Sequence, residues 1–420
     1  MTNFFKKYLK EKNAIILVIV LLWFSVVIDT TGYPLHIRDI AIATGFCVIF
    51  YYGLYRNFFT LLSVRKNPEI FFLIGVMPIY GFLIYLIRGC CDSIFLDKSY
   101  LLFSILLLLS LILYKDKKTS IFSFKIFLIA LRLLAFFEIA TLLDWMNKEH
   151  SYEFFILMKN NIGYIDRRNY SNIYSPYIYY LPSPLLIYLC AYDLMNLLKK
   201  LNKRNIFYYT FSICALFVSG TRAHMLIAIL FTPLYLIINN IRWKNIVIYT
   251  ISTSIIFTIF YQFDQNYITS IFSKNEYSNS MKIGYLKNYF LIFSQNQNLL
   301  IGQGFNAQEW SAPLKSMLTQ TAGATKTELT YVEVIRVFGV FIGIIFLFSL
   351  VMIAKNLKNI PQKYNLEFLY PGFVIYLINC SINPYLISSI GALPLGLFLA
   401  LAVQLQPAKK SLPIISKAFD

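Results

Sequence analysis

The sequence predicts an all-α protein: a polytopic transmembrane helical bundle of about twelve spans, with a large external loop forming a small helical cap. Three observations lead there. First, 58% of the residues are apolar, only 14% are charged and the mean hydropathy is +0.61, which no soluble globular chain of this size would carry. Second, the apolar residues fall in blocks of about 15 to 25, near the ~20 that a helix needs to cross the hydrocarbon layer, and not in the short alternating stretches of an outer-membrane barrel. Third, the Lys and Arg residues cluster between blocks and favour one set of connecting segments.

In chain order the blocks lie at about 14 to 29, 40 to 55, 70 to 87, 99 to 114, 119 to 143, 178 to 197, 206 to 220, 223 to 240, 245 to 262, 329 to 354, 366 to 382 and 385 to 405. The N-terminal MTNFFKKYLKEKN with its following apolar run resembles a signal sequence, but no small-x-small cleavage site precedes Asp29. It reads as an uncleaved first span. Alternate segments then collect the cations on one side, from Lys6, Lys7, Lys10 and Lys12 through Lys199, Lys200, Lys203 and Arg204 to Lys409, Lys410 and Lys417. That bias marks the cytoplasmic side and predicts that both termini face it. The net charge of +18 is therefore a topology signal, and nucleic acid is not an expected partner.

The connecting segments divide the chain into 1 to 262, with nine spans and a medium external loop at about 144 to 177; a large external loop at 263 to 328; and 329 to 420, with three spans and a cytoplasmic tail. Function concentrates in long loops held by a rigid scaffold. Apolar and aromatic patches such as YLKNYFLIFSQ at 285 to 295 predict that the large loop folds as a cap on the membrane. Of the six cysteines, Cys47, Cys190, Cys214 and Cys380 lie inside apolar blocks, and Cys90 and Cys91 form an adjacent pair near a membrane edge. Neither a disulfide framework nor a CxxC site is readable.

Few residues can carry chemistry. Arg222, in SGTRAHML, stands where two blocks meet almost without a loop, and a cation so near hydrocarbon needs a partner. Arg222 either snorkels to the interface or pairs with a carboxylate, or else it grips an anionic headgroup such as a lipid diphosphate, whose oxygens match the guanidinium donors. In KTELTYVEVIRVFG, where the large loop re-enters the membrane, Glu333 and Arg336 are three apart and share a helical face. Glu328 is the carboxylate nearest the outer boundary; it either complements the helix dipole or serves as general base on a sugar hydroxyl. Lys282 and Lys287 are either simply solvated loop lysines or a source of positive potential over the loop that binds substrate. Arg132 and Glu138, six apart in the fifth block, do not share a face, so each is expected to meet a neighbouring helix. Gly302 and Gly304 in LLIGQGFN predict a tight turn, and Pro384 in INPYLISS interrupts the apolar stretch. His36, His150 and His224 share no ligand spacing, so no metal is expected.

SGTRAHML, LLIGQGF, TELTYVEVIRVFG and NPYLISS together resemble the O-antigen polymerase and O-antigen ligase superfamily of polytopic bacterial glycan-assembly enzymes, over roughly 219 to 390. In ligases of that superfamily the re-entry motif begins with a catalytic His followed by Asn, with a Gly eleven residues after the His. Here Glu328 lies eleven before Gly339, and Leu329 departs as well. The Glu points to a polymerase. The resemblance implies inverting, metal-independent glycosyl transfer without a cofactor, at the periplasmic side of the bacterial inner membrane. The growing glycan on undecaprenyl diphosphate would be the donor, and the next lipid-linked repeat unit the acceptor. It also implies that Arg222 binds the diphosphate, that Lys282 stands where many relatives carry Arg, that Glu328 deprotonates or orients the acceptor hydroxyl, and that Glu333 and Arg336 support it. The implied partners are undecaprenyl-diphosphate-linked oligosaccharide, membrane lipid and a polysaccharide chain-length regulator. An O-antigen ligase and a lipid-linked oligosaccharide flippase are the alternatives; a flippase would not need a long external loop bracketed by Arg222 and Glu328.

Overall fold

The computed structural model describes residues 2–28, 36–54, 68–88, 98–114, 116–146, 165–170, 173–178, 181–219, 221–239, 277–295, 297–319 and 328–405. Within them the helices are α1 (Thr2–Ile28), α2 (Ile37–Tyr52), α3 (Pro68–Ile87, with a π-turn at Phe72–Val76), α4 (Lys98–Leu113), α5 (Lys117–Met146), α6 (Leu186–Lys199) and α7 (Lys203–Val218). There follow α8 (Arg222–Ile238), α9 (Tyr277–Phe293), α10 (Asn298–Ile301), α11 (Ala312–Thr319), α12 (Thr330–Lys358), α13 (Leu369–Cys380) and α14 (Ser389–Leu405). Helices occupy every apolar block except the ninth, at 245 to 262, which lies outside the described residues.

α3, α12 and the stretch Lys117–Leu143 of α5 are long and apolar enough to cross a membrane, at 20, 29 and 27 residues. With a rise of ~1.5 Å per residue each covers the ~30 Å hydrocarbon layer. Ile79, Phe82, Leu83, Leu86 and Ile87 of α3 and Phe341, Ile344, Phe348 and Val351 of α12 are exposed. Apolar faces of that extent suit lipid and not water, as a helical membrane protein requires.

Side-chain bonds tie the helix ends together. Lys117 Nζ donates to Tyr364 Oη at 2.7 Å, Lys199 meets Glu367 at 3.1 Å, and Ser120 Oγ donates to Gln404 Oε1 at 2.8 Å. These bonds gather the start of α5, the end of α6, the 362–367 turn and the end of α14 at one end of the bundle. The starts of α8 and α12 lie at the other. Within the bundle, Arg132 of α5 forms a two-point ion pair with the buried Asp193 of α6, and Ser183 Oγ donates to Glu138 Oε1. Arg132 and Glu138 thus each meet a different segment, as their spacing predicts.

One element departs from the all-helical expectation. β1 (Ile165–Tyr170) and β2 (Ile173–Ile178) form an antiparallel hairpin, with Ile165 opposite Ile178 and Tyr170 opposite Ile173. It lies in the segment expected as a medium external loop, and the sixth helix accordingly starts later than its apolar block, after a 3₁₀ turn at Ser183–Leu185. The described part of the large loop has a small core of its own. Tyr285, Tyr289 and Ile292 of α9 pack with Leu314, Met317 and Leu318 of α11 and with Ala307.

Candidate functional site

The site is organised by a break in α12. Gly339 has φ +76° and ψ 168° inside an otherwise helical run, a conformation that costs an L residue strain. Gly302 and Gly304, at φ +85° and +74°, form the turn expected of LLIGQGFN and bring it into that break. Gln303 N donates to Arg336 O at 2.7 Å and Gly304 N to Val337 O at 2.9 Å. The approach leaves no room for side chains: a Cβ on Gly339 would stand 2.2 Å from Leu300 O, and one on Gly302 2.4 Å from Val337 O. α3 closes the other side, where Tyr80 Oη donates to Ile301 O at 2.9 Å and Arg88 Nη2 to Gly302 O at 3.0 Å.

Glu333 and Arg336 sit beneath this junction, both almost wholly buried. Arg336 Nη2 donates to Glu333 Oε1 at 2.6 Å and Nε to Oε2 at 3.0 Å, while Nη1 reaches Gln303 Oε1 at 3.2 Å. Tyr289 Oη of α9 donates to Glu333 Oε2 at 2.6 Å, and Gln303 Nε2 donates to Ser311 Oγ at 3.0 Å. A buried charge is stable only when paired and hydrogen-bonded, and here the network does both while tying the cap to the bundle. The polar atoms of Glu333 and Arg336 are engaged with each other and with the cap residues Tyr289 and Gln303.

Glu328 stands at the surface, two residues before α12. Its Oε2 lies 3.2 Å from Lys282 Nζ of α9, with 36% and 28% of the two side chains exposed, so the pair joins cap to bundle and is still open to solvent. Lys287 is on a different face of α9, exposed beside Leu286 and Phe290. It does not join this cluster.

Arg222 is the first residue of α8, half-buried, on a helix start that Thr221 caps by accepting from His224 N at 3.0 Å. Two residues on, His224 is fully buried, with Nδ1 2.8 Å from Ser219 Oγ and Nε2 3.1 Å from Asn379 Nδ2 of α13. Asn383 Nδ2 approaches Asn379 O and Oδ1 at 3.4 Å, and Thr330 Oγ1 of α12 donates to Asn383 O at 2.7 Å. From the sequence, His224 is weighed only as a metal ligand, Asn383 stands only within NPYLISS and Asn379 is not singled out; their signal is polar side chains in or beside apolar blocks.

The structure therefore brings Lys282 to Glu328, brings Glu333 to Arg336, links the start of α8 to the start of α12 through buried polar groups, and leaves Lys287 apart. Among the described residues no three His, Cys, Asp or Glu side chains gather as a metal site. No protein-family model matches the chain, and no curated protein matches it.

Proposed function

We propose that this chain is a polysaccharide polymerase of the bacterial inner membrane, with about twelve spans, both termini in the cytoplasm and its site on the periplasmic side. It transfers the growing glycan, an O-antigen or a related surface polysaccharide, from undecaprenyl diphosphate onto the next lipid-linked repeat unit. The observation that carries this reading is the Lys282–Glu328 pair: a solvent-open carboxylate beside a cation, at the junction of cap and bundle. The resemblance of the surrounding motifs to O-antigen polymerases supports it, and so does the lack of any need for a nucleotide or a cytoplasmic domain.

In the proposed step the acceptor hydroxyl oxygen attacks the anomeric carbon of the donor from the face opposite the diphosphate. A new C–O bond forms, the bond from the anomeric carbon to the diphosphate oxygen breaks, and the configuration inverts. Glu328 takes the hydroxyl proton as general base. The electron pair leaves on undecaprenyl diphosphate, whose developing charge Arg222 holds through charge-assisted hydrogen bonds. Lys282 orients Glu328 and adds positive potential at the diphosphate, while Glu333 and Arg336 hold the start of α12 in place.

The test is glycan length by gel in cells whose own copy is replaced by wild type, Glu328→Gln or Arg222→Ala at equal membrane levels. Ladders collapsing to a single repeat unit on the lipid A core support polymerisation through these residues. Wild-type ladders from both variants contradict it, and loss of even the single capped unit points to the ligase or the flippase.

A further inference from the structure

The bonds around His224 suit one tautomer of its ring. The Asn379 amide nitrogen only donates, so Nε2 accepts; Nδ1 then carries the proton and donates to Ser219 Oγ, whose own hydroxyl donates to Leu216 O at 2.7 Å. The ring stacks on Tyr385 with centroids 6.0 Å apart, under the turn that follows α13. Asn379 and Asn383 continue the path from it and Thr330 ends it. The path therefore begins two residues from Arg222 and ends two residues from Glu328. It runs through α13, which packs against both α8 and α12.

Leucine in these places would bury without needing partners, whereas a buried imidazole and two buried amides must each be satisfied. What hydrogen bonds add over apolar packing is direction: they fix how far apart two helices stand and how each is rotated. From this geometry we infer that His224 and Asn379 are positioning residues that hold Arg222 in register with Glu328 across α13. The inference rests on the roles proposed for Arg222 and Glu328. A transfer reaction needs leaving group and base aligned, and a displacement of ~1 Å can cost about 100-fold in rate while leaving binding at each half intact.

The experiment pairs two readouts on the full chain: binding of undecaprenyl diphosphate to purified protein in lipid nanodiscs, and glycan length in cells lacking their own copy. His224→Leu and Asn379→Leu are expected to bind undecaprenyl diphosphate within about twofold of wild type and to give short ladders. His224→Gln, whose amide offers both an acceptor and a donor, restores most of the length. The double variant His224→Leu/Asn379→Leu is no worse than either single, because the two act as one unit. Should the leucine variants fail to fold, Thr330→Val keeps the shape and removes only the last bond of the path; it too is expected to shorten the ladders with binding unchanged.

Wild-type ladders from a folded His224→Leu or Thr330→Val overturn the inference, and so does a His224→Leu protein that loses undecaprenyl diphosphate as Arg222→Ala does. Wild-type ladders and wild-type binding in Arg222→Ala together with wild-type ladders in Glu328→Gln are a different result, and overturn the proposed function as well.

Discussion

Glu333 and Arg336, one turn apart on α12, form a two-point ion pair in which each side chain is less than 4% exposed and each bonds a residue of the cap. Removing one partner strands a buried charge, a loss that typically costs about 3 to 5 kcal/mol. Glu333→Gln and Arg336→Met are each expected to lower the thermal unfolding midpoint of the full chain in detergent by many degrees. Glu333→Leu with Arg336→Met together should cost less than the sum of the single changes, since neither charge then remains. A double variant at least as damaged as that sum would show that the pair is not the source of the effect.

The glycine break gives a sharper contrast. Gly339→Ala forces a Cβ to 2.2 Å from Leu300 O at a positive φ, whereas a Cβ on Gly284 in α9 meets nothing within 4 Å. Fluorescence-detected size exclusion should show loss of the monodisperse peak for Gly339→Ala. Gly284→Ala should retain it and gain up to about 1 kcal/mol from helix propensity.

Arg132 and Asp193 provide a prediction away from the site. Asp193 is buried and accepts both terminal nitrogens of Arg132, whose guanidinium also lies 4.2 Å from the centre of the Tyr208 ring. Asp193→Leu is expected to lower the unfolding midpoint strongly, since Arg132 then loses its counter-charge between helices; Asp193→Asn, which keeps the acceptor oxygen, should lower it less. Equal midpoints for the two variants would mean that packing, and not the pair, joins α5 to α6.

Much of this was legible in the chain because it is local. Apolar blocks of the right length mark helices; Gly302 and Gly304 mark a turn; a spacing of three joins Glu333 to Arg336 on one face. What escaped is non-local or lacks a periodic signal. The break at Gly339 sits in a block, 329 to 354, that reads as one helix, since a glycine inside an apolar run does not announce its φ. The hairpin sequences IDRRNY and IYSPYI carry adjacent charges and a proline where alternation would signal strands. Asn379 is 155 residues from His224, and no spacing reveals a bond that forms only when α13 packs on α8.

The central claim is that Glu328 acts on the substrate and is more than a structural partner of Lys282, so the most direct measurement is a charge exchange between the two. Glycan ladders are compared for Lys282→Glu, Glu328→Lys and the double exchange in cells lacking their own copy, at equal membrane levels. Each single variant places like charges ~3 Å apart, and the double restores the ion pair with its polarity reversed. A base at position 328 predicts that the folded double exchange still stops at a single repeat unit, because a lysine there is already protonated. Full-length ladders from the double exchange would mean that the pair only holds the cap to the bundle, and would contradict the assignment.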